Sequence, residues 1–213
     1  MKTIAFNHTM RTAGSTISNL LKELDEHNLI KYVKCGHIPS IKCDEILSNV
    51  GDHIRLSSVR EPYDNTVSLF IRLQGTSYQH LSTARASSDN IKEIIYAFRD
   101  CIRNDIPAYL NDNKSRSPII NDILRVGEIL FKCDGKQAHD RYLRFEQLNI
   151  DIDDMLIHLN ILEPAKKLHM YEIIHRKFRD YIPVDLSEWY DDECRELVYK
   201  LRAHEFTMFG YEQ

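Results

Sequence analysis

Several features that would assign a chain to a class at first sight are scarce in this sequence. In 213 residues no apolar run approaches the length of a membrane-spanning helix, and the N-terminus lacks a signal-peptide pattern. Charge of one sign does not dominate, because 28 Lys and Arg stand against 32 Asp and Glu, for a net charge of −4. Such a balance provides no general basic field. We therefore expect neither a nucleic acid nor a membrane as a partner.

Cysteine is also scarce, and its pattern does not suggest a disulfide framework. The five cysteines are odd in number and widely spread, and no C-x-x-C pair occurs. We predict free thiols in a reducing compartment, and therefore a cytoplasmic protein. Cys35, His37 and Cys43 are zinc-ligand types that lie close together in the sequence, but no fourth ligand accompanies them. We predict no metal.

The absence of a further motif limits the reactions that the protein is expected to catalyse. The chain contains no G-x-x-x-x-G-K-[ST] loop, so ordinary hydrolysis of ATP or GTP is disfavoured. What the sequence does contain is concentrated in two short segments, residues 3–16 and 56–70.

The first segment has the pattern of a strand, a polar turn and a helix start. Residues 4–6 are an apolar run typical of a buried parallel strand. Gly14 lets the backbone turn sharply and approach a ligand closely, and a helix is predicted to begin near Ser15. The N–H groups at a helix start favour an anion, which the hydroxyls of Ser15 and Thr16 and the charge of Arg11 would also attract. The alternative is an ordinary turn whose helix is capped by a Ser or Thr.

The second segment repeats this arrangement. Residues 54–59 suit a strand, Arg60 stands at its end, and Pro62 fits the first turn of a helix. The planar guanidinium of Arg60 matches the geometry of a phosphate. The alternative is a surface arginine in a solvated loop.

Taken in order, these segments resemble two motifs of the sulfotransferases that use 3′-phosphoadenosine-5′-phosphosulfate (PAPS). Residues 8–16, HTMRTAGST, resemble the 5′-phosphosulfate loop H-x-x-K-T-A-G-[ST]-[ST]. Residues 60–70, REPYDNTVSLF, resemble the 3′-phosphate motif R-[DE]-P-x-x-R-x-x-S-x-[YF]. Residues 141–148 are similar to the family's late R-[FY]-E-x-L strand end. Residues 190–211, with their F-G-Y ending, are similar to the carbohydrate (heparan-sulfate-type) branch.

The resemblance implies a fold and an activity. The fold would be α/β and three-layered, with a central, mostly parallel sheet flanked by helices, as in P-loop NTPase-like sulfotransferases, in a single domain over 1–213. The activity would be in-line transfer of a sulfuryl group from PAPS to a hydroxyl or amine of a small-molecule or glycan acceptor, without a metal. The resemblance assigns the 5′-phosphosulfate to Arg11, Thr12, Ala13, Gly14, Ser15 and Thr16, and the 3′-phosphate to Arg60 and Ser68.

Two residues are predicted to be catalytic. Arg11 stands where the family has a lysine, and it would stabilise charge on the transferred group. His37 follows the second predicted strand, where several carbohydrate sulfotransferases carry a similar Gly-His, and it would take the acceptor's proton. Asn65 replaces the family's second arginine.

These two replacements leave a second hypothesis open, a non-catalytic sulfotransferase-like protein that binds a nucleotide or glycan. A third is a phosphotransferase on a related P-loop fold, against which the missing Walker lysine argues.

The alternation of strand and helix patterns independently predicts a parallel sheet. Strands are predicted over 3–8, 31–36, 53–59 and 141–146. Helices are predicted over 15–27, 43–49 and 62–74, and around the apolar stripes that begin at Ile91, Ile152 and Cys194. The polar stretches 74–90 and 104–117 are predicted to be loops.

Overall fold

A computed structural model describes residues 1–77, 88–112, 117–132, 134–177 and 185–212. The chain forms two compact units. The first consists of Met1–Arg60 and Arg125–Asp180, and the second of Glu61–Leu124 and Tyr181–Gln213. That the whole chain is a single domain stays a prediction.

The helices and strands alternate in the first third of the chain, and helices dominate afterwards. The strands are β1 (Thr3–Asn7), β2 (Lys31–Gly36), β3 (His53–Val59) and β4 (Arg141–Arg144). The helices are α1 (Gly14–Glu26), α2 (Ser40–Leu47), α3 (Pro62–Ser77), α4 (Ser88–Asp112), α5 (Pro118–Leu130), α6 (Leu148–His158), α7 (Leu162–Ala165), α8 (His169–Lys177), α9 (Leu186–Trp189) and α10 (Asp192–Phe209). A short 3₁₀ helix covers Phe145–Gln147.

The first unit is built on a parallel sheet with the strand order β2-β1-β3-β4. This confirms the predicted α/β class with a central parallel sheet. From β1 the chain goes to β2 on one side, and β3 then pairs with β1 on the other side. In open parallel sheets ligands bind outside the carboxyl ends of the strands at such a point of reversal. The ends of β1 and β3 are therefore the place to look for a site.

Helices cover both faces of this sheet, which gives it three layers. Ile4 and Phe6 of β1 point to one face, where they join the main apolar core with side chains of α1, α6 and α8. Ala5, between them, points to the other face and packs with Leu47 of α2. The alternation along β1 follows from the two-residue period of a strand.

The second unit is helical, and aromatic side chains fill its core. Phe98 of α4 lies edge-to-face with Trp189 of α9 and with Tyr190, at ring-centroid distances of 5.6 and 5.1 Å. Tyr63 of α3 lies 5.1 Å from Tyr190 and 4.8 Å from Phe206 of α10. Aromatic pairs at these distances bury much apolar area and add a preferred geometry.

The prediction of a loop over 104–117 is wrong for residues 104–112, which are helical. Helix α4 continues to Asp112 with Pro107 in its interior. Phe98, Ile102 and Ile106 are fully buried at a helical spacing, and their packing outweighs the lost hydrogen bond of the proline. Residues 113–116 lie outside the described part of the chain.

The predicted loop over 74–90 is shorter than expected. Helix α3 extends to Ser77 and helix α4 begins at Ser88, so the ends of this stretch are helical. Residues 78–87 lie outside the described ranges.

Helix α5 was not predicted, although its sequence carries the signal. Its buried side chains recur at the spacing of one helix face. They are Ile119, Ile120, Ile123, Val126, Ile129 and Leu130. None of the helices in the described ranges combines the length and apolar character needed to cross a membrane.

Candidate functional site

The loop after β1 and the end of β3 are in direct contact in the first unit. Arg60 Nη1 donates a hydrogen bond to the carbonyl oxygen of Arg11 at 3.1 Å. The hydroxyls of Thr12 and Ser58 are 2.7 Å apart, and Thr9 Oγ1 donates to the Ser58 carbonyl at 3.2 Å. Side-chain hydrogen bonds thus tie the polar turn of the first segment to the beginning of the second.

The backbone of this loop takes an uncommon path. Arg11 has a φ of 63° and Ala13 a φ of 60°, in the left-handed region that side chains other than glycine rarely adopt. Such residues persist where the surroundings fix them, and they concentrate at functional sites. The surroundings here include Thr12, whose buried hydroxyl also donates to the Thr9 carbonyl at 2.9 Å. The hydroxyl of Thr12 is therefore occupied in shaping the loop.

The N-terminus of α1 has no side-chain cap. Ala13 occupies the cap position, and the first turn contains no acidic residue. The Ser or Thr cap that the alternative of an ordinary turn predicts is therefore not formed. No side chain of the helix itself neutralises the positive end of its dipole, and exposed Ser15 lies beside that end. This arrangement favours an anion.

Gly14 is required by a neighbour rather than by its own backbone conformation. A Cβ atom at this position would lie 1.8 Å from Nδ1 and 2.5 Å from Cγ of His8. The His8 side chain is only 5% exposed and stacks on Phe6 at a centroid distance of 4.9 Å. Burial and the neighbouring His37 lower the pKa of His8 to about 4, so its ring is neutral at pH 7. The sharp turn expected at Gly14 occurs at Arg11 and Ala13.

His37 lies next to the same loop. Its ring centroid is 4.0 Å from that of His8, and its Nδ1 is 2.8 Å from the His8 carbonyl oxygen. A carbonyl oxygen can only accept, so Nδ1 carries the proton in this contact and the lone pair of the neutral ring is on Nε2. Arg125 Nη2 donates to the His37 carbonyl at 3.1 Å and holds this part of the backbone. The imidazole itself is exposed.

Arg60 is more enclosed than the sequence predicts. It is 6% exposed, and its guanidinium carbon lies 4.1 Å from the centroid of Phe145, in the 3₁₀ helix after β4. Phe145 lies within residues 141–148, and no role in the site was predicted for it. The proximity of Phe145 to Arg60 could have been predicted, because β4 pairs in parallel with β3 and the residues after the two strands therefore lie close together. An arginine next to an aromatic ring there suits a cation–π contact.

Three further residues named from the motifs lie in helices. Thr16 is half-buried in the first turn of α1. Ser68 and Asn65 are buried in α3, in the second unit. In the part of the chain that the structure describes, no group of three or more His, Cys, Asp or Glu side chains is arranged to hold a metal ion.

Comparison of the chain with protein-family models, with curated proteins and with solved structures finds no match.

Proposed function

We propose that the protein is a sulfotransferase that moves a sulfuryl group from PAPS to a hydroxyl of a carbohydrate-like acceptor. The observation that supports this most is the bond from Arg60 to the Arg11 carbonyl. It joins an arginine at the end of β3 to an uncapped helix start after β1, at the reversal point of the sheet. Two neighbouring positive elements suit a ligand with two separate anionic groups, and PAPS is such a ligand.

The proposed donor site uses the loop for one anionic group and Arg60 for the other. Backbone N–H groups at residues 12–14 and the hydroxyls of Ser15 and Thr16 would hold the 5′-phosphosulfate. A guanidinium has five N–H donors, so Arg60 can hold the Arg11 carbonyl and still donate to a 3′-phosphate. That Ser68 also binds the 3′-phosphate stays a prediction from the motif.

The proposed chemistry needs a base and a source of positive charge. His37 Nε2 accepts the proton of the acceptor hydroxyl as its oxygen attacks sulfur, and the bond from sulfur to the 5′-phosphate oxygen breaks. Arg11 and the N–H groups at the start of α1 stabilise the negative charge on the sulfuryl and leaving groups. The bond from His37 Nδ1 to the His8 carbonyl fixes the tautomer that this role requires.

We further propose a cytoplasmic location and a glycan or small-molecule acceptor. The four described cysteines, Cys35, Cys43, Cys101 and Cys194, are free thiols, as a reducing compartment would keep them. The glycan preference comes from the C-terminal resemblance and rests on sequence alone.

A non-catalytic nucleotide-binding or glycan-binding protein is the second candidate. It is favoured by Arg11 in place of lysine and by Asn65, whose side chain is buried. A phosphotransferase has less support, and dependence of turnover on magnesium would identify it.

The proposal is tested by sulfuryl transfer from labelled PAPS to a panel of oligosaccharide, phenol and amine acceptors. We expect turnover by the natural chain, and its loss in His37→Ala with nucleotide affinity retained. His27→Ala is the matched control, because His27 is an exposed histidine at the end of α1. Full activity of His37→Ala would remove His37 as the base. Nucleotide binding without turnover on any acceptor would favour the second candidate.

A further inference from the structure

Two cysteines lie together on the face of the sheet that α2 covers. Cys35 is at the end of β2 and Cys43 is in α2, and both belong to the small apolar cluster that contains Ala5 and Leu47. Cys35 is 7% exposed and Cys43 is 1% exposed. Neither has a part in the proposed sulfuryl transfer.

An arginine whose side chain is 12% exposed shares this face. Arg55 of β3 is paired in register with Ala5, so the two side chains point the same way. Arg55 Nη1 pairs with the carboxylate of Asp44, the residue after Cys43. Its Nε and Nη2 are buried and, among the described residues, have no hydrogen-bond partner. Buried guanidinium nitrogens with unmet donors favour a further negative charge close by.

His139, another polar neighbour of Arg55, does not supply that charge. His139 is buried near Arg55, and neither of its ring nitrogens has a hydrogen-bond partner within the described ranges. Burial, and to a lesser extent Arg55, lower the pKa of His139 to about 3, so its ring is neutral. Two carboxylates already lie near Arg55: Asp44 pairs with Nη1, and Asp140 Oδ2 accepts a hydrogen bond from the Arg55 backbone N–H at 2.7 Å. The Cys43 thiol also lies within the influence of the Arg55 charge and can become an anion.

We infer that Cys35 and Cys43 form a reactive dithiol whose substrates are small hydroperoxides, with Cys43 as the nucleophilic thiolate and Cys35 as the resolving thiol. The arrangement combines the elements that activate a thiol, namely a neighbouring cation and a second thiol. Both thiols are buried, so only a molecule as small as a hydroperoxide could reach them.

The electrostatics of the pair agree with this assignment of roles. Hydrogen bonding to Cys35 and the charge of Arg55 lower the pKa of the Cys43 thiol, against the opposing effect of burial. Hydrogen bonding to Cys43 and burial raise the pKa of the Cys35 thiol. These pKa directions agree with Cys43 as the thiol of the pair that ionises first.

The chemistry takes place in two steps. The Cys43 thiolate attacks one oxygen of the hydroperoxide, the O–O bond breaks, and the products are the sulfenic acid of Cys43 and hydroxide or an alkoxide. The Cys35 thiol then attacks the sulfenic sulfur, an S–S bond forms, and water leaves. The two thiols lose two electrons in total, and the peroxide gains them.

Two other cysteines provide internal controls. Cys101 Sγ lies 3.1 Å from Asp105 Oδ2, and burial together with this carboxylate raises the pKa of Cys101 to about 12. Burial and the nearby Asp191 raise the pKa of Cys194 to about 12. Both should react slowly, because only the thiolate is nucleophilic.

The test uses the natural chain, so no substitution can disturb its fold. Hydrogen peroxide is added, remaining thiols are alkylated, and the protein is digested with trypsin. Cleavage after Lys34, Lys42 and Arg55 puts Cys35 in peptide 35–42 and Cys43 in peptide 43–55. We expect these two peptides to become joined by a disulfide, with Cys43 oxidised at least about tenfold faster than Cys101 or Cys194.

A pair of variants separates the two roles. In Cys35→Ser, Cys43 should stop at the sulfenic acid, which a dimedone reagent traps, whereas Cys101→Ser should still form the disulfide. Oxidation of Cys43 no faster than that of Cys101 and Cys194 would overturn the inference. So would a disulfide from Cys43 to any cysteine other than Cys35. Neither outcome depends on sulfuryl transfer.

Discussion

The His8 ring occupies the space that a side chain at position 14 would need. The Cβ that Gly14 lacks would overlap Nδ1, Cε1 and Cγ of the His8 ring, all within 2.5 Å. Because Cγ is among these atoms, a small rotation of the ring does not relieve the overlap. His8 is also held by its contact with Phe6 and by an Nδ1 bond to the Thr9 carbonyl at 3.2 Å.

We therefore predict that Gly14→Ala lowers the free energy of unfolding by about 2–3 kcal/mol through overpacking. The double variant His8→Ala/Gly14→Ala should be more stable than the sum of the single changes, by about 1–2 kcal/mol, since the obstacle is gone. Urea denaturation measures both. Gly127→Ala in α5, where a Cβ meets nothing within 4 Å, is the control. It should stabilise by about 0.5–1 kcal/mol. Wild-type stability of Gly14→Ala would contradict the packing of His8.

In the second unit, Arg202 forms a buried ion pair within α10 and also hydrogen-bonds to α3. Arg202 donates from Nε and Nη2 to the two carboxylate oxygens of Glu205, at 2.8 and 2.6 Å. Its Nη1 donates to the Pro62 carbonyl at 2.7 Å and to Thr66 Oγ1 at 2.9 Å. Both charged side chains are buried, so each depends on the other for its solvation.

Replacing Arg202 by Met should cost about 3–5 kcal/mol of unfolding free energy, because Glu205 is left as a buried, unpaired charge. The double variant Arg202→Met/Glu205→Leu should recover part of this loss. Lys200→Met removes an exposed pair with Glu196 on the same helix and should change stability little. Chemical denaturation of all three variants is the measurement. Equal, small effects of Arg202→Met and Lys200→Met would show that the buried pair does not hold α10 to α3.

The sequence predicts an element well where its apolar pattern and the turn residues that flank it indicate the same boundaries. The strands and α1 fall within one or two residues of the prediction because an apolar run or stripe and a flanking turn mark each of them. The end of α4 departs from the prediction because the polar stretch with Pro107 indicates a loop, whereas the burial of Ile102 and Ile106 decides the outcome.

The candidate site was predictable only in part, for a similar reason. The motifs mark the loop and Arg60, and parallel strand ends bring them together. The left-handed backbone at Arg11 and Ala13 depends on tertiary hydrogen bonds to β3, and the stacking of Arg60 on Phe145 depends on the position of β4. Neither is encoded in a local pattern.

The stability of the whole molecule should depend on two buried histidines. Burial is the main reason that the pKa of His8 is about 4 and that of His139 about 3, against an ordinary value of 6.5. Between pH 6.5 and about 4, the unfolded chain binds protons at these positions that the folded chain does not. Stability is therefore fully present above pH 6.5 and falls as the pH is lowered through this window.

We predict that His139→Phe flattens the fall in unfolding free energy between pH 6.5 and 4, by up to about 1.4 kcal/mol per pH unit. Urea denaturation at half-unit pH steps compares the variant with the natural chain, so that carboxylates titrating in the same range cancel. His27→Gln, at an exposed position, is the matched control. An unchanged slope in His139→Phe would mean that this histidine is not held neutral by the fold.

The central claim, a site for a nucleotide with two separate phosphate groups, is tested most directly by calorimetric titration with 3′-phosphoadenosine-5′-phosphate. Adenosine 5′-phosphate serves as the comparison ligand. We predict saturable binding of the first nucleotide, at least about tenfold tighter than the second, because Arg60 adds a charge-assisted hydrogen bond to the 3′-phosphate. Equal affinity for the two nucleotides, or no binding of either, would contradict the account.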